Sequence, residues 1–332
     1  MLIKTISLLL SLCLSSAVAA TEWHVSLWGK RRAFTEHVEK LAQLVAAKTD
    51  GGFTLNLSYG GLSNNRENLD GLAIGAFEMA QFCAGYHPDK NPTLTVLELP
   101  FLGVGTLEQE IAVSQKVYRH PAVERDLARW NASLLMPSPL PQYNIAGVGP
   151  TPHSLADFKG MRIRATGGIG EALSIIGAVP TSMSATEVRQ AMDSGVITAA
   201  SFAPHAHMSF GTIEAASWWT TNLNPGTVNC PVAVSIDALN DLKPEYREAL
   251  LGSVDEALAY YLDYYNQQTM AAWGPKLQQR QIDQVTFSPT ELQAFRDQAA
   301  GPVRDAWIRE MNDKGIPAQE LYDLVIKTLT PE

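Results

Sequence analysis

Few side chains in this chain stand at spacings that support covalent chemistry. Serines and histidines are present, but no Gly-x-Ser-x-Gly turn exists to present an activated nucleophile. His205 and His207, two residues apart, would share one face of a strand, yet no Cys or carboxylate cluster beside them completes a zinc ligand set. The run Gly167-Gly168-Ile169-Gly170 follows a strand as a dinucleotide-binding turn would, but Leu173 stands where the last glycine of that fingerprint belongs. No cofactor and no metal are therefore expected. The same turn can still aim helix N-terminal amides at an anion beside Arg164. Arg164 itself is suggestive, because a guanidinium offers paired planar donors that match a carboxylate. On its own it reads equally well as the partner of a nearby acid or as a solvated strand end. The chemistry on view is binding rather than turnover.

The elements that must position these residues alternate between strand and helix. Trp23, Val25 and Leu27 alternate with His24 and Ser26, the period of a strand. Phe34, Val38, Leu41 and Val45 then recur at helical spacing, stopped by Asp50-Gly51-Gly52. Leu55, Leu57 and Tyr59 form a second strand. A further unit has Met161 to Ala165 as strand, Gly167 to Gly170 as turn, and a helix beginning at Glu171. Such alternation implies an α/β architecture with mainly parallel strands. Pro137, Pro139, Pro141, Pro150 and Pro152 keep the intervening segment extended, as either a crossing between two lobes or a surface loop. Pro244 opens a long helical stretch through Leu250, Val254, Leu258, Leu262 and Tyr265 that Gly274-Pro275 is expected to end. Ser288-Pro289-Thr290-Glu291 is a capping box for a helical C-terminal region. Tyr260, Tyr261, Tyr264 and Tyr265 match helical spacing and read as packing.

At the N-terminus, Lys4 precedes the apolar stretch Ile6 to Leu14 and the small residues Ser15 to Ala20, the pattern of a cleaved secretory signal, residues 1–20. The apolar run is shorter than the roughly 20 residues a membrane-spanning helix needs, so direct membrane insertion is not expected. The rest, of 332 residues in all, is long enough for two lobes with their own cores. The formal net charge is −9. An acidic chain without a basic stripe excludes nucleic acid as partner. Cys83 and Cys230 remain after the leader, either bridged or buried as free thiols.

The run Leu155-Ala156-Asp157-Phe158-Lys159-Gly160-Met161-Arg162-Ile163-Arg164 is followed by Gly177-Ala178-Val179-Pro180, then Glu187, Ala191-Met192 and Gly195-Val196-Ile197. This succession resembles the solute-binding proteins of tripartite ATP-independent periplasmic (TRAP) transporters, the DctP-like family. The similarity covers nearly the whole chain after the leader in length and element order, and its sharp motif spans Leu155 to about Phe202. The resemblance implies a two-lobed periplasmic-binding-protein fold with crossing strands and a long helix linking the lobes. Lobe I would take 21–142 plus 228–267, and lobe II 143–227 plus 268–332.

It also implies a function: capture of a small carboxylate-bearing solute in an interlobe cleft, in the periplasm, and delivery to TRAP-type permease subunits. Arg164 falls on the family's carboxylate-gripping arginine, and Phe202 on a position that lines the cleft. Asn229, Trp28, Tyr143 and Trp219 complete the expected pocket. Many members carry acids where this chain has Thr198 and Ser201, which puts metal-assisted binding in doubt and leaves the ligand class open. Without a second cationic clamp in view, the expected ligand is a monocarboxylate or a carboxylate-bearing zwitterion. The other readings are an extracytoplasmic sensing module and a secreted α/β enzyme.

Overall fold

A computed structural model describes residues 20–330; the leader expected over 1–20 lies, but for Ala20, outside the described residues. Among the described residues eleven strands form: β1 (Thr21–Leu27), β2 (Phe53–Tyr59), β3 (Met79–Gln81), β4 (Ala132–Pro137), β5 (Asn144–Gly147), β6 (Arg162–Arg164), β7 (Val179–Thr181), β8 (Ala199–Phe202), β9 (Trp218–Thr220), β10 (Pro231–Ser235) and β11 (Asp283–Val285). They make two sheets, ordered β2-β1-β3-β10-β4 and β11-β9-β5-β8-β6-β7. Each sheet with its helices is one lobe of a two-lobed α/β fold.

The expected parallel pairing holds for β1 with β2 and β3, and for β6 with β7 and β8. The antiparallel members are strands on either side of the crossings between sheets. The chain leaves the first sheet at β4, passes Pro139 and Pro141, and enters the second at β5, which runs antiparallel to β8 and β9. It returns from β9 to β10, antiparallel to β3 and β4. The proline-rich segment up to Pro141 is thus a crossing. Cys83, just after β3, and Cys230, just before β10, are disulfide-bonded, closing a loop with a sequence separation of 147.

The long helical stretch links the lobes. Val254–Tyr264 packs on Glu36–Lys48 of the first lobe, and Met270–Gln279 packs on Pro204–Ser209 of the second, with a π-helical turn at Tyr265–Thr269 between them. Gly274 and Pro275 lie inside this helix instead of ending it. They sit on its exposed side, where water can take the carbonyl that a proline's missing N–H leaves free. Ser288 caps the helix Pro289–Asp313 through the expected capping box. The last helix, Ala318–Leu329, buries Ala318, Leu321 and Val325 against Leu69, Val113 and Val117 of the first lobe. By packing, then, the sequence-based grouping of 268–332 with lobe II does not extend to that helix.

The glycine run does not form a turn before a helix. Helix Gly167–Ile175 starts at the first of its glycines. The chain at Glu98 to Pro100 comes too close there for side chains: a Cβ on Gly168 would stand 2.4 Å from the Glu98 carbonyl oxygen.

Candidate functional site

Arg164 ends β6 at the interface between the lobes, and only 3% of it is exposed. Its Nε donates to the Met183 carbonyl at 3.3 Å, Nη1 to the Ser201 carbonyl at 3.3 Å, and Nη2 to the Tyr86 hydroxyl at 3.2 Å. The guanidinium carbon lies 4.4 Å from the Phe202 ring centre. All three hydrogen bonds are long and neutral, and none of the ion pairs among the described residues includes Arg164. This cation is held in place by dipoles and an aromatic face without being neutralised.

Beside it lies a cavity of about 30 Å³, walled by both lobes. Trp28 and Tyr143, expected as pocket residues, line it together with Arg164 and Phe202. Space of that size admits roughly two waters. An organic acid therefore enters only if the walls move apart.

Two expected residues lie elsewhere. Asn229 turns away: its Oδ1 accepts from the Tyr118 hydroxyl at 2.9 Å and its Nδ2 donates to Ser114 Oγ at 3.0 Å, inside the first lobe. The segment there is extended, so Val228 and Cys230 face the cavity and the residue between them faces the core. Trp219 lies on β9 with its ring 5.2 Å from Trp273, edge to face, among the residues covering the outer side of the second sheet. Trp218 points to the other face and is fully buried, so neither tryptophan reaches the cavity.

His205 and His207 are not on a strand but on the helix Pro204–Ser209, where Pro204 occupies the first turn. His205 Nδ1 meets the Tyr265 hydroxyl at 3.1 Å, and His207 Nδ1 meets Thr212 Oγ1 at 2.8 Å. Burial pulls both imidazoles down to about 3, so they are neutral in the folded protein. Among the described residues no group of three or more His, Cys, Asp and Glu is placed to hold a metal ion.

The structure adds groups to the cavity that sequence reasoning missed. Tyr86 bonds Arg164 and also accepts from the Ala185 amide at 3.1 Å. Arg32, 7% exposed, stacks 4.3 Å from the Trp28 ring centre. Glu98 is buried with Oε1 accepting from the Gly85 amide at 3.0 Å and the Asn229 amide at 3.1 Å, and burial pushes its carboxyl up to about 7. Phe34 and Phe210 complete the aromatic walls. Arg32 thus places a second buried cation on the cavity, where none was in view from the sequence. It was hidden in Lys30-Arg31-Arg32, which reads as a solvated basic triplet. Glu98 did carry a signal, as a lone acid in the apolar run Leu94 to Leu102.

Such a cavity between lobes, with an unneutralised arginine and aromatic walls, suits anion capture. The family profile described as bacterial extracellular solute-binding protein, family 7 (DctP), matches residues 24–310. The chain belongs to the DctP family. Similar to it is a monocarboxylate 2-oxoacid-binding periplasmic protein of Nostoc sp. PCC 7120, 25% identical over 84% of this chain and 81% of that protein. Among solved structures, a TRAP solute-binding protein from an unidentified marine microbe, specific for aromatic acid ligands and holding metahydroxyphenylacetate, aligns with a TM-score of 0.84. Its identity is 19%, over 93% of this chain and 98% of that one. An extracytoplasmic solute receptor of Bordetella pertussis binding pyroglutamic acid aligns at a TM-score of 0.79 and 21% identity, over 92% and 99%. For this DctP-family chain the two structures bear on the fold, which is that of the two-lobed TRAP receptors.

Proposed function

We propose that this chain is the extracytoplasmic receptor of a TRAP-type uptake system, closing its lobes on a small organic acid and delivering it to membrane permease subunits. The supporting observation is Arg164: buried at the lobe interface, fixed by three neutral contacts, and free of any carboxylate partner among the described ion pairs. A carboxylate added beside these long, neutral contacts would gain charge-assisted hydrogen bonds in a site shielded from water. Phe202, Trp28 and Tyr143 would wall the acid. The 2-oxoacid, pyroglutamic acid and metahydroxyphenylacetate of the relatives share the carboxylate, and only that feature is carried over. The role is binding, as in the family's name, and the location is outside the cytoplasm.

Closing would rotate the lobes about the crossings Pro137 to Tyr143 and Thr221 to Cys230, with the helix Ala318–Leu329 travelling with the first lobe. Ligand favours the closed form only by its greater affinity for it. The test is a thermal-shift screen of organic acids against wild type and Arg164→Ala. A ligand at a hundred times its Kd stabilises by about 2.7 kcal/mol. An acid that raises the melting temperature of wild type and leaves Arg164→Ala unmoved supports the reading. Acids that stabilise both proteins equally would remove Arg164 from it.

A further inference from the structure

We infer that Arg32 is a second anion-reading group of the same cavity, so that the ligand carries, besides the carboxylate on Arg164, a second oxygen acceptor held by Arg32. The inference rests on the reading of Arg164 above.

The guanidinium of Arg32 is aimed by its own loop. Nη1 donates to the Trp28 carbonyl at 3.1 Å and to the Lys30 carbonyl at 2.8 Å. Nε and Nη2 are fully shielded from water and have no partner. Those two nitrogens form one edge of the guanidinium, the edge that takes a pair of acceptors through parallel bonds.

A purely structural role would supply an acid. The neighbouring Arg31 shows the difference: turned to solvent, it pairs with Glu39 and with Glu36. Arg32, turned inward, is in none of the ion pairs among the described residues. Ring faces give it partial compensation, with Trp28 at 4.3 Å and Phe34 at 4.8 Å. Burial lowers its pKa only to about 10, which leaves it charged at neutral pH. An unpaired buried cation is unfavourable and persists where something outside the chain completes it.

The ligand class follows from the cavity. Two guanidiniums border one small space, opposed among the lining residues by the single carboxyl of Glu98. One short acid can touch both if a keto, hydroxyl or second carboxylate oxygen stands near its carboxylate. An acid with only an alkyl or aryl tail would leave the Arg32 edge unpaired.

Isothermal titration at pH 7.5 tests this with C2 to C9 monocarboxylates, each matched with its 2-oxo, 2-hydroxy and second-carboxylate counterpart. Wild type, Arg32→Met and Arg164→Met are compared. The expected result is that some counterpart binds wild type at least about tenfold more tightly than its parent acid, the scale of one charge-assisted bond. Arg32→Met should erase that advantage, so that the counterpart loses more affinity than its parent acid and the two bind alike. Arg32→Lys, which keeps the charge and loses the paired edge, should show a reduced advantage, and it serves if the methionine variant does not fold. Parent acids binding as tightly as every counterpart, or an Arg32→Met loss equal for both, would overturn the inference while leaving Arg164 in place. Binding by no acid in the series would instead overturn the receptor reading itself, and binding that survives Arg164→Met would remove Arg164 from that reading and with it the basis of this inference.

Discussion

The Tyr86 hydroxyl accepts from Arg164 Nη2 at 3.2 Å and from the Ala185 amide at 3.1 Å, so a first-lobe side chain is fastened to two groups of the second lobe. Tyr86 follows β3 in a short 3-10 turn, Ala84–Tyr86, beside the disulfide at Cys83. Its ring also meets Trp28 edge to face, with centres 5.5 Å apart. The contact joins closure of the lobes to the orientation of the proposed carboxylate anchor.

Tyr86→Phe keeps the ring and removes both hydrogen bonds. At about 1 kcal/mol for each, the closed form loses about 1–2 kcal/mol. Ligand affinity should fall roughly 5- to 30-fold, and small-angle scattering of the unliganded variant should show a larger radius of gyration than wild type. Unchanged affinity would mean that the hydroxyl does not contribute to closure.

The fold was legible because the apolar residues that set the strand and helix periods are the buried ones, as for Val25 and Leu27 in β1 and Val38, Leu41 and Val45 in the first helix, although Ser26 is buried as well. The cavity was only half legible. Arg164 and Phe202 belong to a motif with fixed local spacing, and Trp28 and Tyr143 are large rings beside strand ends. Arg32, Tyr86 and Glu98 reach the same space through a loop, a 3-10 turn and a segment packed against another lobe. No local period describes such placement. Asn229 misses the cavity for a simpler reason: in extended chain, one step along the sequence reverses the face. Trp219 misses it because β9 does not border the cavity, so neither face of that strand reaches it.

Glu98 sets a pH dependence. Burial raises its carboxyl from 4.5 to about 7, against the lowering effect of the Asn229 and Gly85 amides and of Arg164. The folded protein therefore holds a proton that the unfolded chain has released between those values. This contribution is fully present below about pH 4.5 and is lost as pH rises to about 7, with a slope of up to about 1.4 kcal/mol per pH unit. Glu98→Gln keeps an acceptor for both amides and has no proton to lose. Its melting temperature minus that of wild type should climb between pH 5 and 7 and level off above 7.5. The buried neutral imidazoles of His37, His205 and His207 act with the opposite sign, losing stability as pH falls below 6.5, but they are common to both proteins and cancel in the difference. A flat difference would show that the carboxyl titrates normally.

The disulfide should matter mainly to the unfolded chain. Cross-linking residues with a sequence separation of 147 removes loop entropy worth up to about 5 kcal/mol in the chain-entropy picture. For a protein of this length the Cys83→Ser/Cys230→Ser double variant should melt roughly 5–10 °C lower. Calorimetry with and without reductant checks it. Reductant should lower the wild type toward the double variant and leave the variant unmoved. Equal melting temperatures for oxidised wild type and variant would show that the bridge adds no stability.

Gly168 separates closure from the chemistry of the cavity. A Cβ there would stand 2.4 Å from the Glu98 carbonyl oxygen, 2.7 Å from Pro100 Cδ and 3.1 Å from Leu99 Cα. These are backbone and ring atoms that cannot swing aside, and they belong to the first lobe whereas Gly168 belongs to the second. Relief of a methyl group therefore comes from parting the lobes. Overpacking of this kind costs about 1–3 kcal/mol, so Gly168→Ala should weaken acid binding roughly 5- to 150-fold. Each lobe keeps its own core, and thermal unfolding without ligand should stay within a few degrees of wild type, with ~1 kcal/mol of helix propensity gained on replacing glycine. Gly274→Ala is the control, because nothing lies within 4 Å of its Cβ and it sits on the exposed side of its helix. Scattering with saturating acid should leave Gly168→Ala expanded and Gly274→Ala as compact as wild type. A Gly168→Ala variant that compacts and binds like wild type would mean that the 98–100 segment yields on its own and does not limit closure.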